Sequence, residues 1–493
     1  MDRVALRRAL HGLARQLGSV PGALRAQSRL RSLVVLVAAL ALLGPLVLTR
    51  ADDLNAAPVQ ATPADRDRPD VVLILTDDQR TDSLLAMPAV KSLLVDRGTR
   101  FTEAIIPTSI CCPSRASILT GRYSHDTGVW ENGGPQGGWR TFHRLGNEQR
   151  TIARTLHRAD YRTGLIGKYL NGFGRWSPPS YVPPGWNRFE GFILPRTSGA
   201  YYDYNIGRTT RYGAGGSDYS TDVLATRAVD FIWSTPKQKS LFLYFAPFAP
   251  HSPYAPAPRD LGSLHGVLPS YRPASVTAPV TDKPAWVRAR PPSKQSRIDY
   301  IRERQGESLM AVDDAVAAIV AALEHSGRLK DTMIVFMSDN GLQIGEHHII
   351  GKNVPYRQAT SVPLVIRWDG RLRAGAVDDR LASNVDIAPT IADAAGAPFE
   401  ADGNSLLGST RRDGSLLEAS FSRRYGRPAY CGWRTPSWMY VRYATGEEEL
   451  YSYATDPEEL RNLATDPVYA VQLAAMKARA VKACRPMPPT FHW

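Results

Sequence analysis

The chain has 493 residues, of which 43% are hydrophobic, and this length and composition suit a large globular domain with a smaller one. The formal net charge is +13 at pH 7, and eight arginines against one aspartate in residues 1–50 supply +7 of it. The rest of the chain therefore carries a charge of only +6, and it contains no basic motif interleaved with aromatic residues. The sequence thus predicts no nucleic-acid partner.

Residues 1–67 predict a targeting segment and linker rather than part of the fold. Seven arginines precede an apolar run at residues 33–48, and a stretch rich in proline and alanine follows it. The run is longer than a signal-peptide core of about 7–15 residues and shorter than a bilayer span of about 20, so a cleaved signal and a membrane anchor both stay open. The arginines place the body of the protein outside the cytoplasm, either secreted or anchored. Cys431 and Cys484 would then lie in an oxidising compartment, where they can pair.

The body of the chain alternates strand-like and helix-like segments. Residues 71–75 are a continuous aliphatic run, as expected of a strand buried on both faces of a parallel sheet. Residues 307–325 keep the apolar spacing of a helix. The alternation predicts a doubly wound α/β domain over residues 68–395. Its further strands are expected at residues 164–166, 241–245 and 334–337.

Acidic and amide side chains follow two of these predicted strands. Asp77 and Asp78 come after the first strand, and Asp339 and Asn340 come after the fourth. Ligands bind beyond the carboxyl ends of the strands in an open α/β sheet, so these side chains are expected near one another. Each pair by itself is also typical of a solvated turn. Three carboxylates together favour a site for a hard divalent cation.

Cationic side chains follow the other strand ends. Lys168 lies after the second strand, His251 lies after the third, and Lys352 lies beyond the Asp-Asn pair. A lone exposed lysine is usually a solvated charge. Two lysines and a histidine that converge on a cation site would instead bind an oxyanion such as sulfate or phosphate.

Residues 111–121, with the sequence CCPSRASILTG, complete a set of motifs that resembles a known family. Together with Asp-Asp, Gly-Lys, His-Ser-Pro and Ser-Asp-Asn-Gly, they resemble the type I sulfatases of the alkaline-phosphatase-like superfamily. The likeness runs from about residue 69 to residues 446–464, which are similar to the family's closing sheet. It implies an alkaline-phosphatase-like doubly wound sheet, and a smaller C-terminal α+β subdomain with a small antiparallel sheet over residues 396–493.

The resemblance implies that a formylglycine-generating enzyme converts Cys111 to Cα-formylglycine, while Cys112 is a variable packed residue. Pro113 suits the first turn of a helix and Gly121 suits its end, so residue 111 is expected at a helix N-terminus, which favours anions. The hydrated aldehyde has two hydroxyls, one to displace the alcohol from sulfur and one to expel sulfate. A vicinal disulfide and a plain catalytic thiol are the alternatives for this cysteine pair.

The resemblance also assigns roles to the other site residues. Arg115 holds the formylglycine, Lys168 and His251 contact it or the sulfate, and Lys352 binds sulfate and assists the leaving oxygen. The cation is calcium, with magnesium as the alternative. Its ligands are Asp77, Asp78, Cys111 after modification, Asp339 and Asn340.

Two positions depart from the family pattern. Leu170 stands where many sulfatases have a histidine, and Asn171 follows it. This leaves open which group deprotonates the second hydroxyl, because an amide is a poor base. Arg357 stands where the commoner pattern has an acid.

Three functions follow from these patterns: an exported sulfatase, a phosphomonoester or phosphonate monoester hydrolase of the same superfamily, and an unmodified surface binding protein. GKYLNG, APHSPY and the second cysteine resemble N-acetylglucosamine-6-sulfatases and extracellular heparan endosulfatases, which implies a 6-O-sulfated glucosamine glycan as the substrate. The aromatic stretch at residues 199–213, with Arg208 and Arg211, is expected either to bind sugar faces and anionic groups or to pack a long loop.

Overall fold

A computed structural model describes residues 68–178, 180–193, 200–207 and 210–493. They all belong to one unit, Pro63–Trp493, so the predicted boundary at 395/396 lies inside it and stays a prediction. None of the helices in these ranges is long and apolar enough to cross a membrane. The predicted signal or anchor at residues 33–48 lies outside the described residues.

The strands of the described residues form three sheets. They are β1 (Asp70–Thr76), β2 (Thr99–Ile105), β3 (Arg162–Gly167), β4 (Arg188–Ile193), β5 (Asn205–Ile206), β6 (Thr210–Arg211), β7 (Leu241–Ala246), β8 (Thr332–Ser338), β9 (Gln343–Ile344), β10 (Ile350–Gly351), β11 (Leu364–Trp368), β12 (Ala376–Ser383), β13 (Ser415–Ala419), β14 (Tyr430–Arg434), β15 (Trp438–Tyr443) and β16 (Glu448–Ser452).

The large sheet has the order β12-β2-β11-β8-β1-β7-β3-β4-β5-β6. The central strand β1 runs parallel to β7 and to β8, and β3 runs parallel to β7 and to β4. One strand inside the sheet, β11, runs antiparallel to β2 and to β8. The predicted α/β sheet and its four strands are confirmed, and the reversed β11 is an addition that the sequence patterns did not predict.

The hydrophobic run of β1 is explained by its place in the middle of the large sheet. Every residue of β1 is buried. Val71, Leu73 and Leu75 belong to the hydrophobic core on one face, and Val72 and Ile74 belong to the core on the other. Successive side chains of a strand point to opposite faces, so a strand covered on both faces is apolar at every position between its ends, here residues 71–75.

Helices cover the sheet and connect its strands. The longer ones are α1 (Cys111–Thr120), α2 (Gly138–Arg144), α3 (Ile152–Arg158), α4 (Ser220–Trp233), α5 (Gln295–His325), α6 (Ile387–Ala394) and α7 (Ala470–Ala483). The short ones are Pro88–Val90, Ser124–Thr127, Ala274–Thr277, Ala285–Arg288 and Arg357–Thr360.

Helix α5 begins earlier than the predicted helix at residues 307–325. Its additional N-terminal part contains Gly306, a residue type that disfavours helix interiors. A Cβ at this glycine would lie 2.6 Å from Cδ1 of Leu264, so the glycine lets a loop pack closely against the helix. Ile298 and Ile301 in the same part are fully buried and hold it against the protein.

The C-terminal part of the chain forms a small antiparallel sheet with the order β13-β14-β15-β16. Met476 and Ala480 of α7 pack against Tyr440 and Leu450 of this sheet. A disulfide joins Cys431 of β14 to Cys484, which follows α7, with 6.2 Å between the two Cα atoms. The pairing that the sequence left open is thus present, and it ties the last helix to the sheet.

Candidate active site

The register between β1 and β8 brings the acidic residues together. Thr76 and Ser338 are paired at the carboxyl ends of the two parallel strands. The next residues, Asp77 and Asp339, therefore leave the sheet at the same level. The backbone N–H of Asp78 donates to Oδ1 of Asp339 at 3.1 Å, and Asp78 adopts a left-handed conformation with φ 66°. A left-handed residue that is not glycine marks a turn that its surroundings must hold in place.

Helix α1 begins at Cys111, as the positions of Pro113 and Gly121 predict. Gly121 ends the helix in a left-handed conformation with φ 68°. The preceding residue, Ile110, has no side chain that could cap the helix. The N–H of Cys112 instead donates to Oδ1 of Asn132 at 2.8 Å, which satisfies one backbone donor of the first turn.

The Cys111 side chain is fully buried among charged groups. The Nζ of Lys352 donates to its Sγ at 2.7 Å, and Sγ donates to Oδ1 of Asp77 at 3.5 Å. Burial raises the pKa of the Cys111 thiol to about 12, despite the nearby lysines. A plain catalytic thiolate is therefore disfavoured in this environment.

Each of the three strand-end carboxylates has a cationic partner. The pairs are Lys168 with Asp77, Lys352 with Asp78, and Arg115 Nε with Asp339 Oδ2 at 2.7 Å. All six side chains are buried. Three carboxylates can therefore share this volume without a net negative charge, and an additional divalent cation would make the site positive for an anionic ester.

The two central carboxyls titrate differently because their neighbours differ. Burial opposes ionisation of Asp77, but the positive charges of Lys168 and Arg115 hold the pKa of its carboxyl well below its usual range. Burial and the negative charge of Asp77 raise the pKa of Asp339 to about 6. Asp77 is thus the more firmly ionised of the two.

Side chains that could bind a metal ion meet at this point. One donor atom each of Asp77, Asp78, Cys111 and His251 lies within 4.8 Å of the others. Among the described residues, the buried Oδ1 of Asn340 has no hydrogen-bond partner, while its Nδ2 donates to Asp78 at 2.7 Å. Carboxylate and amide oxygens fit calcium or magnesium. The sequence did not predict His251 as a member of this cluster.

His251 presents one ring nitrogen to the carboxylates. Its Nδ1 lies 2.7 Å from the carbonyl oxygen of Ser252, which can only accept, so Nδ1 carries the proton in the neutral ring. Its Nε2 lies 3.6 Å from Oδ2 of Asp78. Burial lowers the pKa of His251, so the imidazole is neutral and Nε2 has a free lone pair.

Of the residues that depart from the family pattern, Leu170 and Asn171 both line the cleft next to Lys168, and only Asn171 brings a polar side chain to it. Leu170 is buried in the hydrophobic core. Asn171 lines a cleft next to Lys168, and its buried Oδ1 has no partner among the described residues. The guanidinium of Arg357 binds Glu103 at 3.1 Å, so it is engaged in a separate ion pair.

The described part of the aromatic stretch, residues 200–207 and 210–213, packs a loop. Tyr201 and Tyr204 are each 1% exposed and contact the rings of Tyr219 and Phe192. The hydroxyl of Tyr201 donates to the carbonyl of His251 at 2.7 Å, so this tyrosine supports the site from behind. The structure favours the packing alternative over sugar stacking, and Arg208 lies outside the described residues.

Sequence reasoning missed the residues that support α1 from a distance. Asn132 accepts the N–H of Cys112, and Asn384 donates through Nδ2 to Oγ of Ser114 at 2.9 Å. The apolar residue at the capping position, Ile110, was a usable signal, because an uncapped buried helix start needs an acceptor from elsewhere. No local pattern indicates which residue supplies it.

Family profiles match most of this chain. The profile described as Sulfatase matches residues 69–397, and the one described as N-sulphoglucosamine sulphohydrolase, C-terminal, matches residues 345–485. The chain is 35% identical over 359 residues to the extracellular sulfatase SULF-1 homolog of Drosophila melanogaster, covering 69% of this chain and 31% of that protein. It is 34% identical over 364 residues to human N-acetylglucosamine-6-sulfatase, and the match covers 69% of this chain and 64% of that protein. The chain thus spans less than two thirds of the length of these relatives.

The fold is similar to solved structures. One, solved in complex with its substrate D-glucosamine-2-N,6-O-disulfate, has a TM-score of 0.74 at 22% identity and covers 84% of this chain and 97% of that one. The phosphonate monoester hydrolase of Agrobacterium radiobacter has a TM-score of 0.67 at 23% identity, and the match covers 84% of this chain and 95% of that one. These likenesses establish the alkaline-phosphatase-like fold. Because the sulfatase profile covers more than half of the chain, and its motif residues meet at one site, the chain belongs to the sulfatase family.

Proposed function

We propose that this chain is an exported sulfatase that hydrolyses sulfate monoesters with a formylglycine at position 111. The observation that carries the proposal is the position of Cys111, which begins a buried helix between Lys352 and the strand-end carboxylates. Its raised pKa argues against the thiol as the nucleophile. The hydrated aldehyde would supply one hydroxyl to attack sulfur and a second to release sulfate.

Calcium is the proposed cation, with magnesium as the alternative. Asp77, Asp78, Asp339 and Asn340 would hold it, and the unpartnered Oδ1 of Asn340 supports this assignment. Bound there, the cation would acidify a hydroxyl at position 111 and offset charge on the sulfate oxygens.

The remaining polar residues would orient and stabilise the ester. Lys168 and Lys352 bring two positive charges to the side of Cys111, where they would hold the sulfate oxygens. Arg115 fixes the orientation of Asp339 through its Nε and would hold the formylglycine. His251 presents an unprotonated Nε2, so it is the proposed acceptor for a hydroxyl proton at position 111 in place of the absent histidine at Leu170.

The proposed substrate is a 6-O-sulfated glucosamine unit of an extracellular glycan. The likeness to human N-acetylglucosamine-6-sulfatase supports the sugar, and the likeness to the Drosophila extracellular sulfatase supports the location. The disulfide between Cys431 and Cys484 also supports an oxidising compartment outside the cytoplasm. Export by way of residues 33–48, either as a cleaved signal or as a membrane anchor, is part of the same proposal.

Two other functions compete with this one. The fold is also similar to a phosphonate monoester hydrolase, which favours phosphorus esters as alternative substrates. The ratio of kcat/KM for an aryl sulfate to that for an aryl phosphate and an aryl phosphonate monoester separates the two chemistries. The third function, an unmodified binding protein, requires that Cys111 stays a thiol.

Mass spectrometry of the tryptic peptide that ends at Arg115 tests the proposal directly. In protein produced together with a formylglycine-generating enzyme, the conversion of the Cys111 side chain from CH2SH to CHO should lower the peptide mass by about 18 Da. The same sample should hydrolyse an aryl sulfate. A modified peptide without sulfatase activity would contradict the proposed reaction, and an unmodified, inactive protein would support the binding function.

A further inference from the structure

A cleft of about 980 Å³ lies beside the proposed active site. Lys168 and Asn171 form part of its wall, so the cleft is continuous with the lysine that contacts Asp77. Its other walls come from residues 132–144 and 172–176. A substrate whose ester lies at Lys168 would extend into this space.

The cleft wall contains three exposed arginines, Arg140, Arg144 and Arg175. Within the described part of the chain, none of them forms an ion pair with a carboxylate. Arg144 donates to the carbonyl of Pro135 at 3.4 Å, which leaves its charge uncompensated. Arg115 and Arg328, by contrast, each form an ion pair with a carboxylate. The cleft is therefore a concentrated positive surface.

Trp176 contacts two of these arginines. The indole is 54% exposed, and the guanidinium carbons of Arg175 and Arg140 lie 4.7 and 5.8 Å from its ring centroid. Cation–π contacts restrict the two side chains without neutralising them. Both guanidinium groups keep their positive charge and their N–H donors, and both line the cleft, so they would attract an anion there and donate hydrogen bonds to it.

We propose that this cleft, with Arg140, Arg144 and Arg175, is a second anion subsite that binds a further sulfate or carboxylate of the substrate. This inference rests on the proposed function, because it places the ester to be cleaved at Lys168. It narrows the substrate class to glycans that carry at least two anionic groups, one at the reacting centre and one held by the arginines. A singly sulfated sugar or an aryl sulfate would leave the subsite empty.

The test compares two disaccharides of N-acetylglucosamine, which contain no carboxylate, one with only a 6-O-sulfate and one with a second sulfate. The variant Arg140→Gln/Arg175→Gln removes both charges beside Trp176. The matched control is Arg371→Gln/Arg100→Gln, because both residues are exposed outside the cleft and Arg371 lies 5.7 Å from the ring of Trp368 in a similar contact. We expect the cleft variant to lower kcat/KM for the doubly sulfated disaccharide by about tenfold or more, mainly through KM.

For the singly sulfated disaccharide and for an aryl sulfate, the same variant should keep kcat/KM within about twofold of the wild-type value. The control variant should do so for all three substrates. The wild type should prefer the doubly sulfated disaccharide to the singly sulfated one. A higher salt concentration should reduce this preference more in the wild type than in the cleft variant. Equal losses on all substrates, or no loss on any, would overturn the subsite.

A binding measurement separates failure of this inference from failure of the proposed function. Calorimetry with Cys111→Ala protein measures the affinity for the doubly sulfated disaccharide without any turnover. Binding that weakens with Arg140→Gln/Arg175→Gln supports the subsite even in a protein that hydrolyses no sulfate. Unchanged binding contradicts it, even in an active sulfatase.

Discussion

The Nζ of Lys352 lies 2.7 Å from the Sγ of Cys111, although the two residues are 241 positions apart in the sequence. This contact places a positive charge at the atom where the proposed nucleophile stands. Lys352 also pairs with Asp78, so the same ammonium group connects the nucleophile to the proposed cation site.

We expect Lys352→Gln to lower kcat/KM for an aryl sulfate by about 100- to 1000-fold, the usual loss when one donor to a developing oxyanion is removed. Steady-state kinetics on the folded variant measures this. Lys283→Gln is the control, because Lys283 is also buried and also pairs with an aspartate, Asp282, but its ammonium group binds the carbonyl of Leu460 instead of Cys111. A similar loss in both variants would show that a buried lysine is needed for folding rather than for turnover.

The two adjacent cysteines should respond differently to mutation. Cys111→Ala should abolish hydrolysis, because position 111 supplies the nucleophile. Cys112→Ala should keep it, because Cys112 belongs to the hydrophobic core and its thiol has a pKa raised to about 12 by burial. Turnover of an aryl sulfate and thermal unfolding are measured for both. Equal loss of activity in two folded variants would favour a role that needs both sulfurs.

Calcium should stabilise the folded protein through the strand-end oxygens. At a concentration 100 times Kd, binding to the folded state alone adds about 2.7 kcal/mol to the free energy of unfolding, so Tm should rise with calcium and fall with a chelator. Asn340→Ala should reduce this rise. Asn187→Ala should not, because Asn187 accepts from Thr163 near the start of β3, away from the carboxyl ends. A Tm independent of calcium and magnesium would contradict the cation site.

Removal of the disulfide should destabilise the C-terminal part of the protein. Cys431 and Cys484 close a loop across a sequence separation of 53, and a cross-link of this length contributes about 2–4 kcal/mol, largely by restricting the unfolded chain. Cys431→Ser/Cys484→Ser should lower the urea midpoint, and a reductant should lower it in the wild type but not in the variant. Identical midpoints in all four samples would mean that the bond does not form.

A histidine outside the active site should make stability depend on pH. The Nδ1 of His125 lies 2.8 Å from Glu418, and its Nε2 lies 3.2 Å from Asp126. Burial opposes the charged form, but the hydrogen bonds to Asp126 and Glu418 outweigh it and raise the pKa of His125 to about 10. This pKa lies above the unfolded value of about 6.5, so the stabilisation is complete below about pH 6.5 and is lost as pH rises toward 10.

His125→Gln should therefore lower the free energy of unfolding most at pH 6 and least at pH 10. Urea denaturation of the wild type and the variant at several pH values measures the difference. A difference that stays constant over this range would show that His125 does not change its protonation between the folded and unfolded states.

The sequence by itself determined the central strands and the position of the site. The aliphatic run of β1 predicted a strand buried on both faces, and Asp77 and Asp339 then had to leave the sheet together, because parallel strands end at the same edge. Pro113 and Gly121 likewise predicted the helix that begins at Cys111. These features are local, since each depends on periodicity or on backbone preferences within one element.

The tertiary structure alone decided how the side chains are paired. Arg115 binds Asp339 across 224 positions, and Asn132 supplies the acceptor that Ile110 lacks at the start of α1. The loop tyrosines became packing residues, whereas Trp176 became the exposed ring that holds two arginines. Such contacts join loops that are distant in the sequence. These contacts correspond to no periodic pattern in the sequence, because only the complete tertiary fold determines which loops come together.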